Sequence, residues 1–314
     1  NTYLIYEGFN TVRIIETLIG RDTLDFSNVT SELMFRFNDK KVEKIAGGLI
    51  TGTVSYGKAS GEEVERGDRV KTFIGGSGNS HFIFKDGHVL SSDCMIDGGP
   101  GFGIIDLSAY GSAANVKLTG VEAGGFAGEQ AAIPGGFVRI DKINGDLSTD
   151  NTLTGMNKNT TYAFEQVYDA SLDEYLDYHS IIVDGVTLIT DNYQHIIGGS
   201  AHDSFAFIGK GRLAGTLDGG TGVNTLDYSG FDFGNGSGVL VDLLSGKATS
   251  IGGDLENKLK NIKAVIGSGF NDELYGDNND NIFTGGKGND RLEGRSGNNT
   301  YVFFAGFGED TVVD

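Results

Sequence analysis

The chain has 314 residues, a formal net charge of −19 and a pI near 4.5. This acidic balance argues against nucleic acid and anionic membranes as partners, because both attract basic surfaces, and it favours hard cations bound through oxygen ligands. The single cysteine, Cys94, excludes an intrachain disulfide, and the lack of a long apolar run argues against membrane insertion.

In chain order, the clearest elements are short apolar segments between Gly, Asn and Asp residues, which predict β-strands. They include Leu33–Phe37, His81–Phe84, Gly238–Leu243 and Ile262–Ile266. Strands this short, at spacings of about ten residues or a small multiple, are typical of the rungs of a right-handed parallel β-solenoid. The sequence therefore predicts an all-β fold whose inward side chains stack into a continuous core.

Degenerate glycine turns recur before several of these strands. They are Gly75–Phe84, Gly98–Asp106, Gly198–Phe207 and Gly219–Asp227. Three of the four lack an acidic residue at the place where Gly198–Phe207 keeps Asp203. We therefore expect these turns to retain their geometry without binding metal.

Three aspartates lie within apolar strands, each followed by Phe, Leu or Tyr and then by serine. They are Asp25, Asp106 and Asp227. An aspartate in this position is suited to accept a backbone N–H group from a residue close by in the chain. We predict that these aspartates cap turns, with a metal ligand as the alternative.

One segment departs from the strand pattern. In Thr160–Tyr178 the residues Phe164, Val167, Leu172 and Leu176 show a rough helical period, which predicts a short helix. Together with Glu122–Asn159 this segment is interpreted as an insertion. The expected organisation is solenoid repeats over 1–121, the insertion over 122–197, a further solenoid unit over 198–266 and a β-roll over 267–314.

Four nine-residue segments run back to back near the C-terminal end. They are Gly267–Tyr275, Gly276–Thr284, Gly285–Glu293 and Gly294–Val302. Their sixth positions are Asp272, Asn281, Asp290 and Asn299, and their eighth positions are Leu274, Phe283, Leu292 and Tyr301. The eighth positions are predicted to be core residues. The pattern resembles the RTX (hemolysin-type calcium-binding) repeat G-G-x-G-x-D-x-U-x, and the third segment matches it at every position.

The resemblance implies a β-roll in which two nonapeptides complete one coil, so that alternate turns stack on the same edge. It places Asp272 and Asp290 around one Ca²⁺, with backbone carbonyls completing the shell. Calcium prefers six to eight oxygen ligands, and glycine lets carbonyls point inward without a Cβ clash. The candidate carbonyl ligands are those of Gly267, Gly269, Gly285, Gly286 and Gly288.

The other edge pairs Asn281 with Asn299. Neutral amide oxygens coordinate calcium, but they remove two formal charges, so a site there is expected to be weaker or vacant. Asp280, with its neighbour Asp277, lies on the same edge and is placed to compensate. The chain departs from the family pattern at Ser268, Phe270, Asp277 and Arg295.

No catalytic motif stands out in the sequence. There is no H-E-x-x-H and no G-x-S-x-G, and the five histidines show no i, i+4 ligand spacing. Because some parallel β-helix enzymes that modify polysaccharides carry RTX repeats, such an enzyme is kept as a less favoured alternative. The expectation is a non-catalytic segment.

The resemblance also implies type I secretion, calcium-triggered folding and display outside a Gram-negative cell. Asn299–Phe303 mirrors Asn1–Ile5 at an offset of 298 residues, so neighbouring copies of the same repeat are the expected partners. The leading interpretation is a segment of a giant repetitive adhesin that forms a rod, stalk or surface fibre.

An alternative function is a recognition module within 122–195 that binds a glycan, matrix component or protein. That segment is rich in tyrosine, which is the residue type of a sugar-binding platform. The tyrosines concerned are Tyr162, Tyr168, Tyr175, Tyr178 and Tyr193.

Overall fold

The structure is a computed structural model, and it describes residues 1–15, 21–57, 70–169 and 174–314. Throughout these ranges the chain is all-β, with parallel sheets and no α-helix. A single turn of 3₁₀-helix occurs in them, at Gly252–Asp254. No helix in these ranges is long and apolar enough to span a membrane.

Most strands are three to seven residues long and are separated by tight turns. In chain order the strands are β1 (Thr2–Tyr6), β2 (Thr11–Ile15), β3 (Asp22–Asn28), β4 (Glu32–Arg36), β5 (Lys41–Ala46), β6 (Leu49–Gly57), β7 (Val70–Ile74), β8 (Ser80–Lys85), β9 (Met95–Asp97), β10 (Gly103–Ala109), β11 (Val116–Glu122), β12 (Gly125–Gln130), β13 (Ile133–Ile140), β14 (Lys142–Asn144), β15 (Thr152–Thr154), β16 (Thr161–Asp169), β17 (Glu174–Val183), β18 (Val186–Asp191), β19 (His195–Ile197), β20 (Ser204–Gly209), β21 (Leu217–Asp218), β22 (Thr225–Phe231), β23 (Leu240–Asp242), β24 (Lys247–Ala248), β25 (Leu259–Lys260), β26 (Ala264–Ile266), β27 (Glu273–Tyr275), β28 (Ile282–Thr284), β29 (Arg291–Glu293), β30 (Thr300–Val302) and β31 (Thr311–Val313).

The chain divides into two compact units, residues 1–151 with 186–192 and residues 152–185 with 193–314. In the first unit, one sheet has the order β1-β3-β7-β9-β13-β12-β11 and the other the order β2-β6-β5-β4-β8-β10-β14-β18. Most neighbours are parallel, but β4, β5 and β6 pair antiparallel, as do β11, β12 and β13. The core of this unit contains the stacked rings of Phe35 and Phe82, whose centroids lie 4.5 Å apart.

The second unit contains three strand series. Their orders are β15-β19-β21-β25, β17-β16-β20-β22-β26-β28-β30 and β24-β23-β27-β29-β31. Buried aromatic rings stack from rung to rung, with Phe164 and Phe207 at 4.6 Å and Phe207 and Tyr228 at 5.1 Å between centroids. This column of rings is the continuous core expected of a solenoid.

The predicted helix in Thr160–Tyr178 is wrong. The segment contributes to β16 and β17, which form an antiparallel pair, and β16 also pairs in parallel with β20 as a rung of the solenoid. Phe164 is buried whereas Val167 is 46% exposed, so the apolar residues do not share a helical face. Leu172 lies outside the described residues. Tyr162 and Phe164, which lie two residues apart on the same face of β16, are both buried.

The predicted turn-capping role of the recurring aspartates is confirmed. Oδ1 of Asp25 accepts a hydrogen bond from the backbone N–H of Ser27 at 2.8 Å. The same contact joins Asp106 to Ser108 at 3.0 Å and Asp227 to Ser229 at 2.8 Å. Each carboxylate thus satisfies a backbone donor two residues further along the chain.

Candidate calcium-binding edge

The four nonapeptides end in the three-residue strands β27, β28, β29 and β30. The parallel register pairs Leu274 with Leu292 and Phe283 with Tyr301, a shift of 18 residues, or two nonapeptides. Leu274, Phe283 and Leu292 are fully buried, as predicted, and Tyr301 is half-buried. Alternate turns therefore stack on the same edge. We call turns 267–272 and 285–290 the aspartate edge, and turns 276–281 and 294–299 the asparagine edge.

A further turn, at residues 305–310, extends the aspartate edge. The backbone N–H of Asp290 donates to Oδ1 of Asp310 at 3.0 Å, and β31 pairs with β29 so that Thr311 lies beside Arg291. The sequence prediction missed this turn because Phe303 and Phe304 are inserted after the fourth nonapeptide and break the nine-residue period. The surviving signal was the spacing of Gly306, Gly308 and Asp310.

The three aspartates of this edge form a ladder with the backbone. Oδ1 of Asp272 accepts the N–H of Val239 at 2.7 Å, Oδ1 of Asp290 accepts the N–H of Asp272 at 2.9 Å, and Oδ1 of Asp310 accepts the N–H of Asp290. Each carboxylate thus uses one oxygen to join its own turn to the preceding coil.

The second carboxylate oxygens differ along the ladder. Oδ2 of Asp272 accepts the N–H of Ser268 at 2.6 Å, and the Ser268 hydroxyl donates to Oδ1 at 2.7 Å. In contrast, Oδ2 of Asp290 and Oδ2 of Asp310 are shielded from solvent and have no hydrogen-bond partner. An unpaired buried carboxylate oxygen is costly unless a cation or donor compensates it. This donor set therefore fits a hard cation.

The electrostatics of the ladder support the same conclusion. Burial raises the pKa of Asp290 to about 6, and the charges of Asp272 and Asp310 add to that increase against the lowering effect of its backbone hydrogen bond. Burial also raises the pKa of Asp272. At both carboxylates, therefore, desolvation outweighs the stabilising hydrogen bonds from the protein.

Glycines in the stacked turns bring backbone carbonyls close to the next coil. Gly286 has φ of 109° and Gly288 has φ of 118°, and a Cβ at either would overlap the carbonyl oxygen of Ser268 or Phe270. At Gly267 and Gly285 a Cβ would overlap the side-chain oxygens of the aspartate in the same turn. Gly269 stands in open space.

The asparagine edge has one equivalent bond between coils and one bond within a turn, and it has no buried, unpaired carboxylate oxygen among its described residues. The N–H of Asn281 donates to Oδ1 of Asn299 at 3.0 Å, and Oδ1 of Asn281 accepts the N–H of Asp277 at 3.0 Å. Oδ1 of Asp280 accepts the N–H of Asn298 at 2.8 Å. The carboxylate of Asp280 thus caps the next turn.

The upstream turn that keeps Asp203 has its carboxylate satisfied. Oδ2 of Asp203 accepts the N–H of Gly199 at 2.8 Å and Oδ1 accepts the N–H of Thr160 at 3.1 Å. At the related turn, the Ser80 hydroxyl oxygen accepts the N–H of Gly76 at 2.9 Å. Both turns show the expected geometry, with the side chain acting as an acceptor for backbone donors.

Two of the tyrosines proposed as a sugar platform are part of the core. Tyr162 and Tyr193 are each 1% exposed, so neither presents a ring to a ligand. Tyr178 is half-buried, and the side chains of Tyr168 and Tyr175 lie outside the described residues.

Among the described residues, no three Asp, Glu, His or Cys side chains converge in a way that would hold a metal. Ions on the aspartate edge would therefore draw their remaining ligands from backbone carbonyls.

Residues 266–301 match the RTX calcium-binding nonapeptide repeat in four copies. Repeats of this family bind calcium and are typical of secreted extracellular proteins. No curated protein matches the chain.

Proposed function

We propose that the chain is a calcium-binding structural segment of a secreted repetitive protein, in which calcium on the aspartate edge completes the folding of the C-terminal coils. The observation that carries the proposal is the pair of shielded, unpartnered oxygens, Oδ2 of Asp290 and Oδ2 of Asp310. They lie on an edge that continues the matched RTX block. Since the turns stack only when the coils form, the binding energy of calcium becomes folding energy.

The preferred calcium position involves the turns 285–290 and 305–310. Asp272 accepts three hydrogen bonds from protein donors, so an ion between Asp272 and Asp290 competes with bonds that already exist. Asp290 and Asp310 each keep one oxygen without a partner. We therefore propose that calcium binds more tightly at Asp290 and Asp310 than at Asp272 and Asp290, the pair that the sequence indicated.

Type I secretion from a Gram-negative cell is the route that this chemistry supports. Where calcium is scarce, the acidic turns repel one another and the C-terminal coils stay loose. At millimolar calcium outside the cell, the turns bind calcium and the C-terminal coils fold. The net charge of −19 makes this response stronger, because self-repulsion opposes the compact state in the absence of cations.

The structural role is that of a rod, adhesin stalk or fibre built from neighbouring copies of the same repeat. The mirrored segments Asn1–Ile5 and Asn299–Phe303 overlap β1 and β30, and each of these strands stands at one end of the order of its sheet. Leu4 and Phe304, which lie in or next to these strands, are exposed. Parallel stacking of a second copy would cover such residues. This role is non-catalytic.

Calcium titration of the full chain tests the proposal. Isothermal titration calorimetry should detect calcium binding, and thermal unfolding should move to higher temperature in calcium than in chelator, because a ligand at 100 times its Kd stabilises by about 2.7 kcal/mol. Asp310→Asn should weaken both responses. Asp277→Asn removes the same charge from the asparagine edge and should leave both intact. Equal unfolding temperatures with and without calcium would contradict the proposal.

A further inference from the structure

Arg295 occupies a position that favours glycine. It is the second residue of the fourth nonapeptide, where the third nonapeptide has Gly286. Its backbone has a φ of 62°, which lies in the left-handed region that non-glycine residues rarely adopt. A non-glycine residue held in this conformation must be supported by its surroundings.

The Arg295 guanidinium makes three hydrogen bonds. Nη1 donates to the carbonyl oxygen of Gly276 at 2.6 Å and to Oδ1 of Asp242 at 2.6 Å, and Nη2 donates to Oδ2 of Asp242 at 3.1 Å. The guanidinium carbon also lies 5.5 Å from the ring centroid of Tyr275. Both charged side chains are only 24% exposed. The contact with Asp242 is therefore a bidentate ion pair in a partly desolvated place.

These contacts join three successive coils. Asp242 ends β23 and pairs with Tyr275 at the end of β27, and Tyr275 in turn pairs with Glu293 at the end of β29. Arg295 follows β29 and reaches back over Tyr275 and Gly276 to Asp242. The side chain thus lies across the beginning of the two turns that make the asparagine edge.

The charge of this edge fits the contact. Asn281 and Asn299 replace the aspartates of the other edge, so their oxygens form the ladder without negative charge. Gly276 begins the second nonapeptide. Its carbonyl oxygen accepts a hydrogen bond from Arg295 and is therefore not available as a calcium ligand. The one carboxylate that the guanidinium pairs with, Asp242, comes from the preceding coil.

We propose that the guanidinium of Arg295 takes the place of calcium on the asparagine edge, holding three coils together and excluding the ion there. The chain then has one edge that needs metal and one that carries its own cation. The contrast between the edges rests on the calcium binding proposed for the aspartate edge, but the role of Arg295 in the metal-free protein does not.

Calorimetric stoichiometry separates the two edges. Asn281→Asp/Asn299→Asp with Arg295 retained should bind no more calcium than the wild type. The same double substitution combined with Arg295→Gly, which restores the glycine of the repeat, should bind one calcium more per chain. Extra calcium in the double variant, or none in the triple variant, would overturn the proposal. A wild type that binds no calcium would instead refute the aspartate edge.

Thermal unfolding in chelator tests the internal cation independently. Arg295→Lys keeps the charge and the backbone strain but loses the bidentate fork, and Asp242→Asn removes the partner charge. Each should lower the unfolding temperature by about 2–4 °C, as expected for a loss near 1 kcal/mol in a unit of this size. The calcium response should stay the same in both variants. Unchanged unfolding temperatures in chelator would overturn the role assigned to Arg295.

Discussion

Replacing Asp290 by asparagine is expected to stabilise the calcium-free protein and to abolish most of its response to calcium. The pKa of Asp290 rises from 3.8 to about 6 on folding, mainly through burial. Each pKa unit corresponds to about 1.4 kcal/mol, so the charged carboxylate costs the metal-free fold roughly 3 kcal/mol at neutral pH. Because the folded pKa lies above the unfolded value, this cost develops as the pH rises from 3.8 through about 6.

The substitution keeps the structural part of the side chain. Oδ1 of Asp290 accepts the N–H of Asp272, and on the other edge Asn299 makes the equivalent bond to Asn281. An asparagine is therefore compatible with the ladder. What it removes is the negative charge on the unpartnered oxygen, together with the ligand that calcium would use.

Hydrogen exchange measured by mass spectrometry is the suitable assay, because it reports on the C-terminal coils separately from the rest of the chain. In chelator, peptides across residues 273–302 of Asp290→Asn should show slower exchange than the wild type, by on the order of 100-fold for 3 kcal/mol. Calcium should then protect the wild type and leave the variant nearly unchanged. The reasoning would be refuted if Asp290→Asn exchanged faster than the wild type in chelator, or if calcium protected the variant as strongly as it protects the wild type. Asp277→Asn is the control of matched charge.

Three further predictions follow from the packing and from one ion pair. Phe283→Ala should destabilise the second unit by about 3–5 kcal/mol in urea unfolding, because the ring is fully buried and stacks on Tyr301; a loss below 1 kcal/mol would contradict the assigned core. Gly288→Ala should cost more than about 2 kcal/mol, since its φ is 118° and a Cβ would overlap Phe270 O, whereas Gly269→Ala should stay within about 0.5 kcal/mol because nothing lies near its Cβ; equal costs would refute this account. Burial raises the pKa of Glu43, but hydrogen bonds from Lys41 and Arg36 outweigh it and lower the pKa overall. Glu43→Gln should therefore destabilise the first unit at neutral pH, and the difference from the wild type should shrink as the pH falls through the lowered pKa of Glu43; a difference that does not change with pH would count against the ion pair.

The local features of the C-terminal block were accessible from the sequence because they repeat at a fixed period. With the two-nonapeptide coil that the resemblance implies, a nine-residue period determines which residues stack, and Leu274 pairs with Leu292 accordingly. The turn at 305–310 escaped because two inserted phenylalanines shift its register to 20 residues, as the pairing of Arg291 with Thr311 shows. A periodic argument fails at an insertion even where every turn residue is retained.

The remaining differences come from contacts that no local pattern encodes. Tyr162 and Phe164 lie in a strand because β16 pairs with β20 about 40 residues later, and this pairing outweighs an approximate helical spacing. Likewise, the sequence marked Arg295 only as a departure from the repeat. Its partner Asp242 lies 53 residues earlier in the chain, and only the stacking of coils brings the two together.

Asparagine and aspartate at the sixth position of a turn have the same structural role, since either residue accepts a hydrogen bond from a backbone N–H through one side-chain oxygen. The difference lies in the second oxygen. In Asp203 that oxygen accepts the N–H of Gly199, whereas in Asp290 and Asp310 it has no partner. An acidic residue at this position therefore does not by itself define a calcium site. Where we propose calcium, the protein leaves a shielded carboxylate oxygen without a donor. This criterion favours the turns that carry Asp290 and Asp310 over the pair Asp272 and Asp290 that the repeat pattern alone indicates.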